Sequence, residues 1–203
     1  MPNWTYNSIN IQGEPKDIRE FMNVISEHSA NPDDAPDVMY KLINCNPTPD
    51  IFKNIHSGSS TIDGIQYREW FVDEDGTNRP MMDITREDIE KEYGFVNSID
   101  WQYANWGTKW GDVETELISE VYTEARGTLD FTFNSAWGEP FILLNDIATK
   151  YNLQIINKWS IEMDQGNGIS HYPMKHTEAD IVYKQHIEGL KAINKKVNEI
   201  TNE

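Results

Sequence analysis

Apolar side chains recur along this chain at two different spacings, and the switches between them mark out its elements. From Trp4 to Gln12 the residues alternate. Trp4, Tyr6, Ser8 and Asn10 fall on one side, and Thr5, Asn7, Ile9 and Ile11 on the other. A period of two with β-branched residues predicts a strand, closed by Gly13. Glu14-Pro15 then sets a proline at a helix start, and Ile18, Phe21, Met22 and Ile25 follow at helical spacing. Val113 to Thr123 alternates again, with Val113, Thr115, Leu117, Ser119, Val121 and Thr123 predicted to face inward. Glu114, Glu116, Glu120 and Glu124 are predicted to face outward with Ile118 and Tyr122. Arg126-Gly127 turns the chain into a partner strand carrying Leu129, Phe131 and Phe133, so a β-hairpin is expected. Phe141, Leu144, Ile147 and Ala148 give a helix over Pro140–Tyr151, and Leu153–Met163 a further strand, broken at Gln165-Gly-Asn-Gly168.

The stretch between the first helix and the hairpin is less regular. Asn31 to Pro36 has loop composition, Val38–Ile43 predicts a short strand, and Ser57 to Ser60 a flexible link. Gln66–Val72 fits a strand turning at Asp75-Gly76 or a short helical arm. Thr85 to Asp88 resembles a capping box, placing a helix over 85–93 that stops at Gly94. Residues 50–95 thus form an insertion within a domain spanning 1–175. Beyond it, Thr177 caps a helix in which Tyr183, Leu190 and Val197 fall seven apart with His186, Ile193 and Ile200 between them. Over 176–203 this narrow stripe is expected either to dock on the domain or to pair with a second copy as a homodimer.

Charge and composition remove several function classes. Seventeen Lys+Arg stand against thirty-four Asp+Glu, a net charge of −17 over 203 residues. All of that net charge lies within 1–149, where 27 acidic residues face 10 basic ones. A nucleic-acid backbone binder needs a basic footprint, so direct nucleic-acid binding is not expected. No apolar run approaches the ~18 residues that would span a bilayer. No charged-then-apolar leader opens the chain, and a cytoplasmic, membrane-free protein is the expectation. The single Cys45 excludes an intrachain disulfide or a cysteine-rich metal site. The glutamate row is either a solvated face that discourages edge pairing or a surface for a basic partner.

The densest local feature is Trp101-Gln-Tyr103-Ala-Asn105-Trp106-Gly107-Thr108-Lys109-Trp110-Gly111, answered later by Ser135-Ala136-Trp137-Gly138-Glu139-Pro140. Glycines permit tight turns there, and indoles combine a large apolar area with an N–H that wants a partner. Trp106, Lys109, Trp110 and Trp137 therefore read either as a knot pinning loops over the sheet or as a pocket gripping a base or a sugar face. These two strings, with Met1-Pro2-Asn3-Trp4-Thr5-Tyr6-Asn7 and Asn46-Pro47-Thr48-Pro49, occur in the same order as in the YubB-type ferredoxin-like proteins of phages and conjugative plasmids, which the chain resembles over about half its length. Thr5 and Tyr6 replace the Cys-Asn that usually follows Pro-Asn-Trp in that family. The resemblance implies a ferredoxin-like α+β fold, an antiparallel sheet covered by helices on one face, and a mobile-element origin. It brings no catalytic residues.

Searching the residues for chemistry yields little. His171 and His176 lie five apart near Glu178 and Asp180, the nearest approach to a metal set, and a metal-dependent hydrolase built on them is one alternative. G-x-S-x-G, a phosphate loop and a dinucleotide fingerprint are all missing. No metal, cofactor or catalytic residue is expected. The leading expectation is a non-enzymatic acidic phage accessory protein that binds and inhibits a host protein with a basic surface, a defence or nucleic-acid-handling factor, by charge mimicry through Glu114, Glu116, Glu120 and Glu124. A small-ligand or nucleotide binder using the Trp-rich loop is the alternative.

Overall fold

The computed structural model describes residues 3–28, 38–73, 75–81 and 83–174. In chain order these form β1 (Trp4–Gly13), α1 (Pro15–Ile25), β2 (Ser26–His28) and β3 (Val38–Tyr40), then 3-10 turns at Leu42–Cys45 and Asp50–Asn54. Next come β4 (Ile55–Ile62), β5 (Ile65–Val72), β6 (Asn78–Pro80), α2 (Asp83–Tyr93) and α3 (Ser98–Trp106). The chain continues through β7 (Lys109–Tyr122), β8 (Gly127–Ala136), α4 (Phe141–Lys150), β9 (Gln154–Ile161) and β10 (Gly166–Tyr172). Two compact units result, Met1–Asn46 with Tyr103–Glu203, and Pro47–Gln102.

The first unit is organised by one five-stranded sheet, ordered β10-β9-β1-β8-β7 and antiparallel throughout. Strand parity decides its two faces. Ile9 and Ile11 of β1, Leu129, Phe131 and Phe133 of β8, and Ile155 of β9 are buried together with Ile18, Phe21 and Ile25 of α1 and Leu143, Leu144, Ile147 and Ala148 of α4. Burying each such large side chain is worth about 1.5–3 kcal/mol. The opposite parity, Tyr6, Ser8 and Asn10 of β1 with Thr132 and Asn134 of β8, carries polar groups and no helix, so this face is open. In the second unit β4, β5 and β6 pair antiparallel. Phe52 is its aromatic anchor, with ring centroids 5.5 Å from Tyr93 and 6.5 Å from Trp101.

The architecture corrects the expected ferredoxin-like α+β fold. The described residues are mostly β, 45% strand against 32% helix, and they carry sheets of five, three and two strands. One source of the difference is β10, a strand where the sequence pattern predicted a break. Gly166 and Gly168 pair with Ile161 and Trp159 rather than turning away. A Cβ at Gly168 would lie 2.7 Å from Cζ2 of Trp159, so the glycine is the mark of an indole lying over the strand. A second is the insertion, where Ser57 to Ser60 belongs to β4 and carries a bulge. The Trp101–Trp106 string, expected as turns, is helical in α3, and the strand expected at Val38–Ile43 stops at Tyr40. The long helix expected over 176–203, and any dimer through it, lies outside the described residues. Among those residues no helix is long and apolar enough to cross a membrane.

Candidate functional site

The candidate site is one end of the open face, where β1 and β7 begin, β8 ends and the β9–β10 turn passes. The same register that buries Ile9 and Phe131 brings these segments together. Trp4 and Lys109 both pair with Ala136, one from each side. Thr108 fastens the start of β7, its hydroxyl donating to the Ala136 carbonyl. Gly107, at φ 86°, allows the chain to enter there, since a Cβ would lie 2.7 Å from the Phe141 ring. On the other strand the Trp137 amide donates to the Asn3 carbonyl at 2.9 Å. From the turn, Glu162 accepts the Trp4 amide at 3.0 Å and the Tyr6 hydroxyl at 3.2 Å.

An aromatic surface around one cation is the outcome. The Lys109 ammonium lies 4.5 Å from the Trp110 ring centroid and 5.9 Å from that of Trp137. Trp4 and Trp110 lie 6.0 Å apart with their planes tilted by 32°. Trp110 is 44% exposed and Trp137 48%. Both have left-handed backbones, with φ of 52° and 71°. Two other non-glycine residues near this end share that conformation, Glu114 at 55° and Met163 at 59°. Each such residue costs about 1–3 kcal/mol unless the surroundings enforce it, and such strain gathers at functional sites.

Beneath the corner, on the helix-covered face, lies a buried polar network that holds the Trp137 loop. The Glu139 carboxylate accepts from Asn157 Nδ2 at 2.9 Å, from Ser170 Oγ at 2.6 Å and from the Tyr172 hydroxyl at 2.9 Å. Asn157 also donates to Asn7 Oδ1 at 3.0 Å, Asn7 to Ser135 Oγ at 2.9 Å, and Ser135 to the Gly138 carbonyl at 2.7 Å. Burial, reinforced by the neighbouring Glu139 charge, pushes the Tyr172 hydroxyl well above the usual phenol range. The phenol therefore stays a donor to Glu139 at any physiological pH.

Of the pocket residues expected from sequence, Lys109, Trp110 and Trp137 come together. Trp106 does not, being only 2% exposed, with its indole N–H donating to the Asn46 carbonyl at 2.8 Å. The glutamate row does not share a face. Register shifts in β7 between Val113 and Glu116 and between Leu117 and Ser119 break its alternation. Glu116 pairs with Thr132 and lies on the open face, and Glu114 accepts from Asn134 at 3.1 Å beside it. Glu120 pairs with Leu129, on the opposite parity, and accepts from Tyr122 at 2.7 Å, while Glu124 lies in the Thr123–Arg126 turn. Among the described residues no group of three or more His, Cys, Asp or Glu is placed to hold a metal ion. His171 is exposed on β10 and His176 lies outside the described residues.

Sequence reasoning missed Asn7, Asn157 and Glu139. The available signal was Asn7 itself, an amide on the same parity as Ile9 and Ile11, since a buried amide requires partners. Comparison with known proteins finds no matching family model, no matching curated protein and no matching solved structure.

Proposed function

We propose that this chain is a binding protein that holds a ring-bearing small molecule against Trp110 and Trp137, with Lys109 between them. The observation that carries this reading is the coincidence of exposure and strain. Two indoles stand in solvent on left-handed backbone, where burial would have been favourable and glycine would have relieved the strain. A knot serving only the fold has the opposite character, as Trp106 illustrates. Stacking on an aromatic face is worth about 1–3 kcal/mol for a nucleobase, and Lys109 adds a donor beside it. Tryptophan emission titrated with nucleotides and with neutral sugars tests the reading. A ligand-dependent change that disappears in Trp110→Ala and Trp137→Ala is expected, and no change with any ring-bearing ligand overturns it.

A second reading is a non-enzymatic accessory protein of a mobile element, acting in the host cytoplasm on a host protein with a basic surface. The net charge of −17 favours it, as does the placement of Glu114 and Glu116 together on the open face. Capture from a host lysate at low salt should retain one basic protein and lose it as salt rises. Retention of none at low salt rejects this reading.

A further inference from the structure

The open face changes character along the strands, and the change points to a ligand. At the end far from the tryptophans the polar side chains satisfy one another. Asn10 donates to Asp130 at 2.7 Å, Ser119 donates to the other Asp130 oxygen at 2.5 Å, and Gln12 donates to Asn10 at 2.6 Å. Hydrogen bonding to Ser119 and Asn10 holds the Asp130 carboxyl below the usual range. One row nearer the tryptophans the pattern stops. In register across four strands stand Lys158, Ser8, Thr132 and Glu116. None of these four makes a side-chain hydrogen bond or ion pair among the described residues, and neither does Ser160 of the adjoining row. With Tyr6, Glu114 and Asn134 they line a groove of about 460 Å³. Tyr6 is 49% exposed there and leads directly to Trp4 at the aromatic corner.

We propose that this groove binds a neutral oligosaccharide, one sugar ring lying on Trp110 or Trp137 and the following residues running across β8, β1 and β9. The inference rests on the stacking surface proposed above and names its ligand. Sugar hydroxyls both donate and accept, and the groove supplies both complements. Glu114 and Glu116 accept, Lys158 donates, and Ser8, Thr132 and Ser160 do either. Three inter-strand steps of about 4.8 Å make the row roughly 14 Å long, room for a short chain of rings. Charge decides against a nucleotide. Its phosphates would lie within a Debye length, about 8 Å in physiological salt, of Glu114 or Glu116 on a protein already at −17. A neutral chain meets no such repulsion, and its C–H faces suit the indoles and the Tyr6 phenol.

The test is titration of the full chain with cellohexaose, maltohexaose and chitohexaose, each followed by tryptophan emission and by backbone amide shifts, with ATP as the charged comparison. At least one hexasaccharide should quench emission and shift the amides of Ser8, Thr132, Lys158 and Ser160. Glu116→Ala and Lys158→Ala should each weaken it about tenfold, while His171→Ala, on the outer strand, should leave it unchanged. All three positions are solvent-exposed, so matching thermal midpoints confirm that the variants fold. Quenching by ATP but by no hexasaccharide overturns this inference and leaves the stacking surface standing. Hexasaccharide binding that Trp110→Ala abolishes but Glu116→Ala and Lys158→Ala leave intact also overturns the groove. Silence with every ligand overturns both the groove and the stacking surface.

Discussion

The same strands make both faces of the five-stranded sheet, yet the two faces answer to different constraints. On the helix-covered face nearly every group is used, the apolar ones by packing and Asn7, Asn157 and Glu139 by one another. The open face keeps exposed aromatic rings, unpaired hydroxyls and a strained backbone. Stability resides in the first face and recognition in the second. The link between them is the Trp137 loop, exposed at its tryptophan and held from below at Glu139.

Substitutions sharpen this contrast in order of size. Phe131→Ala removes a fully buried ring from the centre of the covered face and should cost about 3–5 kcal/mol in urea unfolding. A loss below 1 kcal/mol would mean that this face is not the core. Glu139→Ala leaves the Asn157, Ser170 and Tyr172 donors without their acceptor, at about 1–3 kcal/mol of stability. It should also alter the Trp137 emission, because the loop loses its anchor. Unchanged emission would separate the network from the corner.

A pH experiment breaks the contrast elsewhere on the covered face. Burial pushes the Asp112 carboxyl up to about 7, even though the Leu42 and Ile43 amides and Thr115 favour its charged form. The folded chain thus keeps a proton that the unfolded chain releases in the ordinary carboxylate range. This contribution to stability is greatest below that range and falls as pH rises to about 7. Asp112→Asn keeps an oxygen for the Leu42 amide and removes the titration. Its unfolding free energy should vary less between pH 4 and pH 7 than that of the parent chain. An identical slope in both proteins would place the titration on another group.

Much of the covered face was legible in the sequence because its parity is written in apolar residues, as in Ile9 and Ile11 or Leu129, Phe131 and Phe133. Polar members of that parity were not, since an asparagine declares no partner until the strands beside it are known. β7 misled for a different reason. Its alternation is regular in sequence, and only pairing with β8 introduces the bulges that send Glu116 and Glu120 to opposite faces. In β10 the two glycines carried the signal of a break, while their cause, the Trp159 ring, lies on another strand. At the corner, Lys109, Trp110 and Trp137 were legible as a string of unusual composition. Which indoles stand in solvent was not, because burial of Trp106 depends on the distant Asn46 carbonyl.

The smallest expected effect on stability is also the most direct test of the division between the faces. Trp137→Gly replaces an exposed indole at φ 71° with the residue that adopts this conformation freely. The thermal midpoint should stay the same or rise, while ligand-dependent emission from the remaining tryptophans disappears. A midpoint several degrees lower, with ligand response retained, would show that Trp137 serves the fold and that the open face is not the site of recognition.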